Sequence, residues 1–261
     1  MAPDGSHRIE IPSLEGKVSE AEWATRVDLA CAYRLVSHYG WTHGVANHIS
    51  IRVPGEDEHF LLNPYGLEFR EVTASSLVKI DLDGDTVMDS PFGINRAGFV
   101  IHSAIHAARR DATCAIHTHT EAGMAVSSLK CGLLPLNMSA IRFHNRIGYH
   151  DYEGVTLDTD ERERLVADLG NHYAMILRNH GLLTLGRNLG EAFYLMYHLE
   201  KSCRAQLAAM ATGAELEVPP EHVLEKSAEQ SWRPFHSNTG EHPAWTAFVR
   251  EMDDLDPGYR S

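Results

Sequence analysis

The chain reads Ala115-Ile116-His117-Thr118-His119-Thr120 directly after Cys114. Side chains alternate between the two faces of a β-strand, so His117 and His119 would leave the same face about 7 Å apart at the backbone. That spacing lets two imidazoles converge on one metal ion. The alternative interpretation is a pair of solvent-facing histidines on an edge strand. Because the residues before His117 are apolar, the pattern favours a buried strand that carries metal ligands.

A third histidine ligand has to come from another part of the chain. The best candidate is in Asn179-His180-Gly181, which follows the apolar stretch 174–177. The glycine permits a tight turn that would present the His180 ring at the end of a strand. We therefore predict that His117, His119 and His180 bind one ion.

The other histidines, out of 17 in the chain, form weaker patterns. His102 and His106 lie four residues apart on a predicted helix, where they are either a ligand pair or part of the helix surface. His144 and His150 lie in a predicted loop, and a solvated loop is the simpler interpretation.

The composition excludes several classes of protein. The 261 residues include 23 basic and 36 acidic side chains, a formal net charge of −13, which argues against nucleic-acid binding. No apolar run approaches the ~20 residues of a membrane span, and no apolar stretch follows the N-terminus, so we expect no membrane insertion, no secretion and a cytoplasmic location. The scattered cysteines are expected to be buried thiols: Cys31, Cys114, Cys131 and Cys203.

Hydrophobic spacing predicts an α/β domain with a mixed or antiparallel sheet. Helices are predicted from Ser19 to Gly40 and at 97–109, 121–129, 188–211 and 245–252. Strands are predicted at 49–53, 60–62, 78–82, 114–120, 174–177 and 182–185. We expect three parts along the chain: a mobile N-terminal arm at 1–16, a main domain at 17–212 and an acidic C-terminal extension at 213–261.

Several short segments, in this order along the chain, resemble the class II aldolase/adducin head domain family. They are Asn47-His48-Ile49-Ser50, Asn63-Pro64-Tyr65-Gly66, Gly98-Phe99-Val100-Ile101-His102, His117-Thr118-His119, Tyr149-His150-Asp151-Tyr152 and Arg178-Asn179-His180-Gly181. The resemblance implies a three-layer α/β/α fold around a mainly antiparallel central sheet. It also implies a homotetramer with active sites between subunits.

The same resemblance assigns roles to individual residues. In the sugar-phosphate aldolases of this family, the histidines that correspond to His117, His119 and His180 bind zinc. Zinc is therefore the expected divalent ion here, with manganese or iron as alternatives. The resemblance also suggests that Asn47, Tyr65 and Gly66 contact substrate.

This sequence departs from the aldolases at one important position. The aldolases carry Ser-Ser-Glu before the helix histidine, with the serines on the substrate phosphate and the glutamate as base. Here the aligned residues are Arg96, Ala97 and Gly98. Without those hydroxyls we expect a substrate that needs no phosphate, although Arg96 could clamp an anion as a substrate-binding residue.

The base must then come from elsewhere, and four residues are candidates for moving the proton. Glu121 lies two residues beyond His119, although it could equally be a first-turn acid favoured by the helix dipole. The other three candidates are Tyr149, His150 and Tyr152.

The function predicted from these patterns is a metal-dependent carbon–carbon lyase. Its small-molecule substrate would be a hydroxy-carbonyl or aromatic hydroxy compound rather than a sugar phosphate. One alternative keeps the metal for other chemistry, as an epimerase, a dehydratase or a three-histidine iron oxygenase. Another is a non-catalytic binding module like the adducin head.

Overall fold

A seven-stranded sheet forms the middle layer of the protein in the computed structural model, which describes residues 9–154, 161–237 and 242–261. The strands are β1 (His48–Arg52), β2 (His59–Leu62), β3 (Val78–Asp81), β4 (Cys114–Thr118), β5 (Gly148–His150), β6 (Ala174–Leu177) and β7 (Gly181–Gly186). Their order across the sheet is β3-β2-β1-β4-β7-β6-β5. Neighbouring strands are antiparallel except β5 and β6, which are parallel, so the predicted mainly antiparallel sheet is confirmed.

Helices cover both faces of this sheet. In the described part of the chain they are α1 (Glu20–His38), α2 (Arg96–Ala108), α3 (Glu121–Ser127), α4 (Met138–Ile141), α5 (Glu161–Leu169), α6 (Leu189–Met210), α7 (Glu221–Ser237) and α8 (Pro243–Leu255). On β4, Ala115 packs in a cluster with residues of α2 and α5. Its neighbour Ile116 packs on the opposite face with residues of α1 and α6. The three-layer α/β/α arrangement is therefore confirmed.

Side-chain caps fix the starts of the two long helices. The Ser19 hydroxyl accepts a hydrogen bond from the Glu22 backbone N–H at 3.1 Å, before α1. The Asn188 side chain accepts one from the Glu191 N–H at 2.9 Å, before α6. Each cap satisfies an N–H group that has no partner within its helix, as the sequence pattern predicts.

The C-terminal extension packs on the body of the domain. Trp232 and Trp245 are 6% and 1% exposed, and they belong to the same hydrophobic cluster as residues of α1 and α6. The Trp232 indole N–H donates to the Arg142 carbonyl oxygen at 2.8 Å. The acidic C-terminal extension thus contributes two tryptophans to the main hydrophobic cluster.

The predicted mobile arm is partly attached to the body. Residues 1–8 lie outside the described residues. Beyond them, the Leu14 N–H donates to the Ser75 hydroxyl at 3.1 Å, and Ile11 packs against the cluster formed by β2 and β3. Part of segment 9–16 thus contacts the body, and the mobility expected for residues 1–16 stays a prediction.

The sequence patterns missed β5, α4, α5 and α7. The loop predicted around His150 is wrong, because His150 ends β5, which pairs with β6. A three-residue strand is too short for alternation to reveal it. Among the described helices, none is long and apolar enough to cross a membrane.

Candidate metal centre

Three histidine rings meet at one end of β4. His117 lies on β4, His119 follows the strand, and His180 lies in the turn between β6 and β7. The Nε2 atom of His180 is 3.3 Å from Nε2 of His117 and 2.9 Å from Nε2 of His119. Ligand nitrogens of all three rings lie within 4.8 Å of one another. The structure thus brings together the three histidines that the sequence singles out.

The surrounding backbone explains this convergence. Asn179 adopts φ +54°, a left-handed turn conformation that asparagine tolerates, and it places His180 at the start of β7. A Cβ on the next residue, Gly181, would overlap the Thr118 carbonyl oxygen. Only glycine therefore lets β7 start this close to the end of β4.

Hydrogen bonds fix the ring of His117 and the backbone of His119. The Leu182 carbonyl oxygen lies 2.9 Å from Nδ1 of His117. A carbonyl can only accept, so Nδ1 carries the proton and Nε2 keeps its lone pair for the centre. Asn47 accepts a hydrogen bond from the His119 backbone N–H at 3.2 Å and donates to the Trp41 carbonyl oxygen at 2.6 Å. Asn47 thus anchors the backbone that carries His119.

Burial keeps the three rings uncharged at neutral pH. Desolvation, with smaller effects from neighbouring histidines, holds the pKa of His117 well below its usual range and lowers the pKa of His119 to about 3. Desolvation and then His150 lower the pKa of His180. Neutral imidazoles with free Nε2 lone pairs are the donor set that zinc and related divalent ions accept, so these residues fit the ion that the sequence predicts.

A cavity of about 330 Å³ opens beside the three rings. Its described lining includes the apolar side chains of Ala46, Ile101 and Met124, together with Asn95, Asn179 and Tyr152. None of the described lining residues is a lysine, an arginine or a carboxylate.

Of the candidates for moving the proton, only Tyr152 lines this cavity. Its ring centroid is 6.3 Å from that of His180. Glu121 is exposed at the first position of α3 and is not among the lining residues, a position that fits its alternative role at the helix N-terminus.

The remaining two candidates are engaged elsewhere. The Tyr149 hydroxyl accepts a hydrogen bond from the Leu133 N–H at 3.1 Å, and burial raises the pKa of Tyr149. The buried His150 ring lies 2.7 Å from the Asp168 carboxylate through Nδ1 and 3.5 Å from Glu161 through Nε2. Neither residue is among the described lining residues of this cavity, although His150 lines a small neighbouring pocket together with His180.

Three of the predicted substrate contacts are not among the described lining residues of the cavity. Asn47 is fully buried, and its side chain is hydrogen-bonded to the backbone N–H of His119. Tyr65 is 54% exposed. Gly66 takes φ +103° in the same exposed turn. Arg96 begins α2, but its side chain lies outside the described residues.

Sequence reasoning missed His48 and misjudged the histidines of α2. His48 lies opposite His117 in the β1–β4 pairing, and its ring lines the cavity. His102 and His106 are fully buried rather than on a helix surface, and both rings contact the Ser50 hydroxyl, at 2.6 and 2.7 Å. The alternation of His48 and Ser50 along β1 was the available signal.

The chain is similar to known proteins over most of its length. The family described as class II aldolase and adducin N-terminal domain matches residues 27–207. An aldolase II superfamily protein from Pseudomonas syringae is 50% identical in its crystal structure, with a TM-score of 0.91, 96% of this chain covered and 100% of that one.

Two further proteins are more distant. The L-fuculose 1-phosphate aldolase from Glaciozyma antarctica is 27% identical, with a TM-score of 0.80 and 97% of each chain covered. Alpha-adducin of Rattus norvegicus is 41% identical over 93% of this chain, which spans 34% of that protein. The chain belongs to the class II aldolase and adducin N-terminal domain family.

Proposed function

We propose that this protein is a metal-dependent carbon–carbon lyase of the class II aldolase type. Its substrate would be a small hydroxy-carbonyl or aromatic hydroxy compound without a phosphate group. The observation that carries the proposal is the convergence of His117, His119 and His180 beside the cavity. The likeness to an L-fuculose 1-phosphate aldolase supports the reaction type.

His117, His119 and His180 would hold the ion through Nε2. When bound, a divalent ion on three neutral imidazoles keeps its full charge and open coordination positions, so it would polarise a carbonyl and stabilise negative charge on oxygen. Zinc is the expected ion, with manganese or iron as alternatives. The chain itself positions two of the ligands: the Leu182 carbonyl orients the His117 ring, and Asn47 anchors the backbone of His119.

The start of α2 favours a substrate without phosphate. Arg96, Ala97 and Gly98 stand where the aldolases carry Ser-Ser-Glu, so the serine hydroxyls that bind the substrate phosphate there are absent from this sequence. Ile101 and Met124 supply apolar surface that excludes water from a bound molecule.

Tyr152 is the best-placed group to hold or move the proton. Its side chain lines the cavity next to His180, while the alternatives Glu121, Tyr149 and His150 do not. A tyrosine hydroxyl both donates and accepts, so it could take the proton of the substrate hydroxyl that becomes a carbonyl when the carbon–carbon bond breaks, and return a proton to the enolate carbon.

The test is cleavage by metal-reconstituted protein of a panel of unphosphorylated hydroxy-carbonyl compounds, with the two fragments detected by mass spectrometry. We expect cleavage that a chelator abolishes and that added ion restores. His180→Ala should be inactive, whereas Glu121→Gln serves as a matched control outside the cavity. Equal turnover by His180→Ala, or preference for the phosphorylated forms, would contradict the proposal.

A non-catalytic binding module is the second candidate. The observations that favour it are Gly98, where the aldolases carry a carboxylate, and the 41% identity to alpha-adducin. A protein that binds no metal and cleaves no member of the panel would support this alternative. Iron in the purified protein would instead favour oxygenase chemistry. Conversion of a panel compound without cleavage of its carbon–carbon bond would favour an epimerase or a dehydratase.

We also propose that the protein is a cytoplasmic homotetramer with active sites between subunits. The proposal rests on the family's assembly, and the exposed Tyr65 and Met138 side chains are available for contacts between chains. Light scattering should report a particle of about four chains. A monomer near 29.1 kDa would contradict this.

A further inference from the structure

Threonines alternate with the histidines at the end of β4, and they point to the opposite face of the sheet. Thr118 donates a hydrogen bond to the Met196 sulfur at 3.4 Å. Thr120, which directly follows His119, donates to the carboxylate of Glu200. Met196 and Glu200 both lie on α6. The helix layer behind the sheet therefore holds the residues on either side of His119.

Glu200 is a buried carboxylate, with 1% of its surface exposed. One of its oxygens accepts from the Thr120 hydroxyl, and the other accepts from Nε of Arg204 at 2.7 Å. The Arg204 side chain is 54% exposed, so this ion pair reaches the protein surface. A carboxylate costs free energy to bury, and an apolar side chain would fill the same space without that cost. Its presence here points to a role beyond packing.

The Thr120 hydroxyl joins this carboxylate to the segment between β4 and α3. While it donates to Glu200, it accepts from the Gly123 N–H at 3.0 Å and so caps the start of α3. Asn47 accepts from the His119 N–H at 3.2 Å. The backbone of His119 is thus held on both sides, by Asn47 at its own N–H and by Thr120 after it.

We propose that Glu200 is a positioning residue that acts through Thr120 to set the direction of the His119 ring at the metal centre. The inference rests on the proposed function above, since it concerns the ion that the three histidines would hold. Loss of a residue that orients a metal-binding histidine typically costs about 10- to 100-fold in metal affinity. Glu200 acts through one intervening residue, so we expect an effect at the low end of that range.

The test compares metal binding in matched variants, without turnover. The probes are zinc, competed against a fluorescent chelator, and cobalt, whose visible absorption reports the coordination geometry. Glu200→Leu should weaken zinc binding about tenfold and shift the cobalt bands, because Thr120 loses its anchor. Glu200→Gln, whose amide oxygen still accepts from Thr120, should stay within about threefold of wild type. Unchanged zinc affinity in Glu200→Leu would overturn the inference.

Gln206→Leu is the control for a purely structural loss on the same helix. Gln206 is also fully buried, and it donates to the Gly132 carbonyl oxygen at 2.8 Å and accepts from the Leu134 N–H at 2.7 Å. Its loss should lower the free energy of unfolding but leave the zinc affinity and the cobalt spectrum as in wild type. Equal losses of zinc affinity in Gln206→Leu and Glu200→Leu would contradict the inference, because a general loosening of α6 would then suffice.

Thr120 provides a second comparison, which replaces the first if Glu200→Leu does not fold. Thr120→Val removes the hydroxyl and should weaken zinc binding by about tenfold or more, whereas Thr120→Ser keeps it and should bind zinc like wild type. The double variant Thr120→Val, Glu200→Leu should lose no more affinity than Thr120→Val alone, because both changes remove the same hydrogen bond. Additive losses, or wild-type affinity in Thr120→Val, would refute the proposed link.

Two outcomes separate this inference from the proposed function. A wild type that binds zinc and cleaves its substrate, beside a Glu200→Leu variant that binds zinc equally well, would overturn the inference alone. A folded wild type that binds no zinc would overturn both.

Discussion

Two groups of histidines lie on the same side of the sheet, yet they differ in what stands between their nitrogens. In the candidate metal centre, the Nε2 atoms of His117, His119 and His180 face one another beside a cavity. In a second group, which we call the buried histidine cluster, the Ser50 hydroxyl lies between His102 and His106 with no opening to solvent.

The comparison teaches that spacing alone does not define a metal site. The Ser50 hydroxyl occupies one nitrogen of His102 and one of His106, so these two nitrogens are not available to a shared ion. In the candidate metal centre the three Nε2 atoms approach one another directly, which is the arrangement that a single ion can join. The difference lies in a single intervening atom rather than in the number of histidines.

The largest expected effect comes from removing a ligand. His119→Ala or His180→Ala should weaken metal binding by more than about 10²-fold. Loss of a residue that only supports a metal ligand costs up to about 10²-fold in affinity, and loss of the ligand itself should cost more. Competition with a fluorescent chelator measures this affinity. His102→Ala is the control from the buried histidine cluster. An equal loss of metal affinity in His102→Ala would show that the two groups of histidines do not differ in metal binding.

Acid should destabilise the buried histidine cluster. Burial lowers the pKa of His102 and of His106 to about 3, with smaller effects from His106 on His102 and from Arg52 on His106. Histidine has a pKa of about 6.5 in the unfolded chain. The contribution of these two neutral rings to the free energy of unfolding is therefore complete above pH 6.5 and falls as the pH drops toward 3. At pH 5 the loss should be roughly 2 kcal/mol for each ring.

Urea unfolding of metal-free protein between pH 7.5 and pH 5 measures this loss. Carboxylates in ion pairs also respond to acid, so His106→Leu provides the control. Its free energy of unfolding should depend less steeply on pH than that of wild type, and two parallel curves would contradict the assignment.

A smaller effect is expected when the intervening atom is removed. Ser50→Ala leaves Nδ1 of His102 and Nε2 of His106 without their partner, which should cost about 1–3 kcal/mol of unfolding free energy and leave the metal content unchanged. Ser103→Ala is the matched control on α2, because that hydroxyl only reaches the Val100 carbonyl at 3.3 Å. Equal losses in the two variants would show that the Ser50 bridge has no special role.

The smallest expected effect is that of Glu121→Gln. Its exposed position at the start of α3 suggests a helix-dipole interaction, worth a few tenths to ~1 kcal/mol. Turnover should stay within about twofold of wild type, as measured in the cleavage assay. A drop near 10²-fold, typical of a lost acid–base group, would return the proton-transfer role to Glu121.

The sequence predicted the parts of the fold that depend on local periodicity. The strand at His117, the helix after Asn188 and the turn at His180 each carry their own signal, so they appear where they were expected. These features were enough to nominate all three converging histidines.

The missing parts depend on contacts between distant segments. The position of His48 in the cavity wall follows from the β1–β4 register, which sets it opposite His117. Tyr149 and His150 precede Tyr152 closely in sequence, yet only Tyr152 lines the cavity. The Tyr149 hydroxyl accepts a hydrogen bond from the Leu133 N–H, and the His150 ring contacts Asp168. Closeness in sequence does not fix where a side chain points.

The measurement that tests the central claim most directly is elemental analysis of metal-free protein re-equilibrated with zinc, manganese or iron. We expect about one ion per chain in wild type and in Ser50→Ala. The triple variant His117→Ala, His119→Ala, His180→Ala should hold almost none. Full occupancy in that triple variant, or no bound ion in folded wild type, would contradict the account.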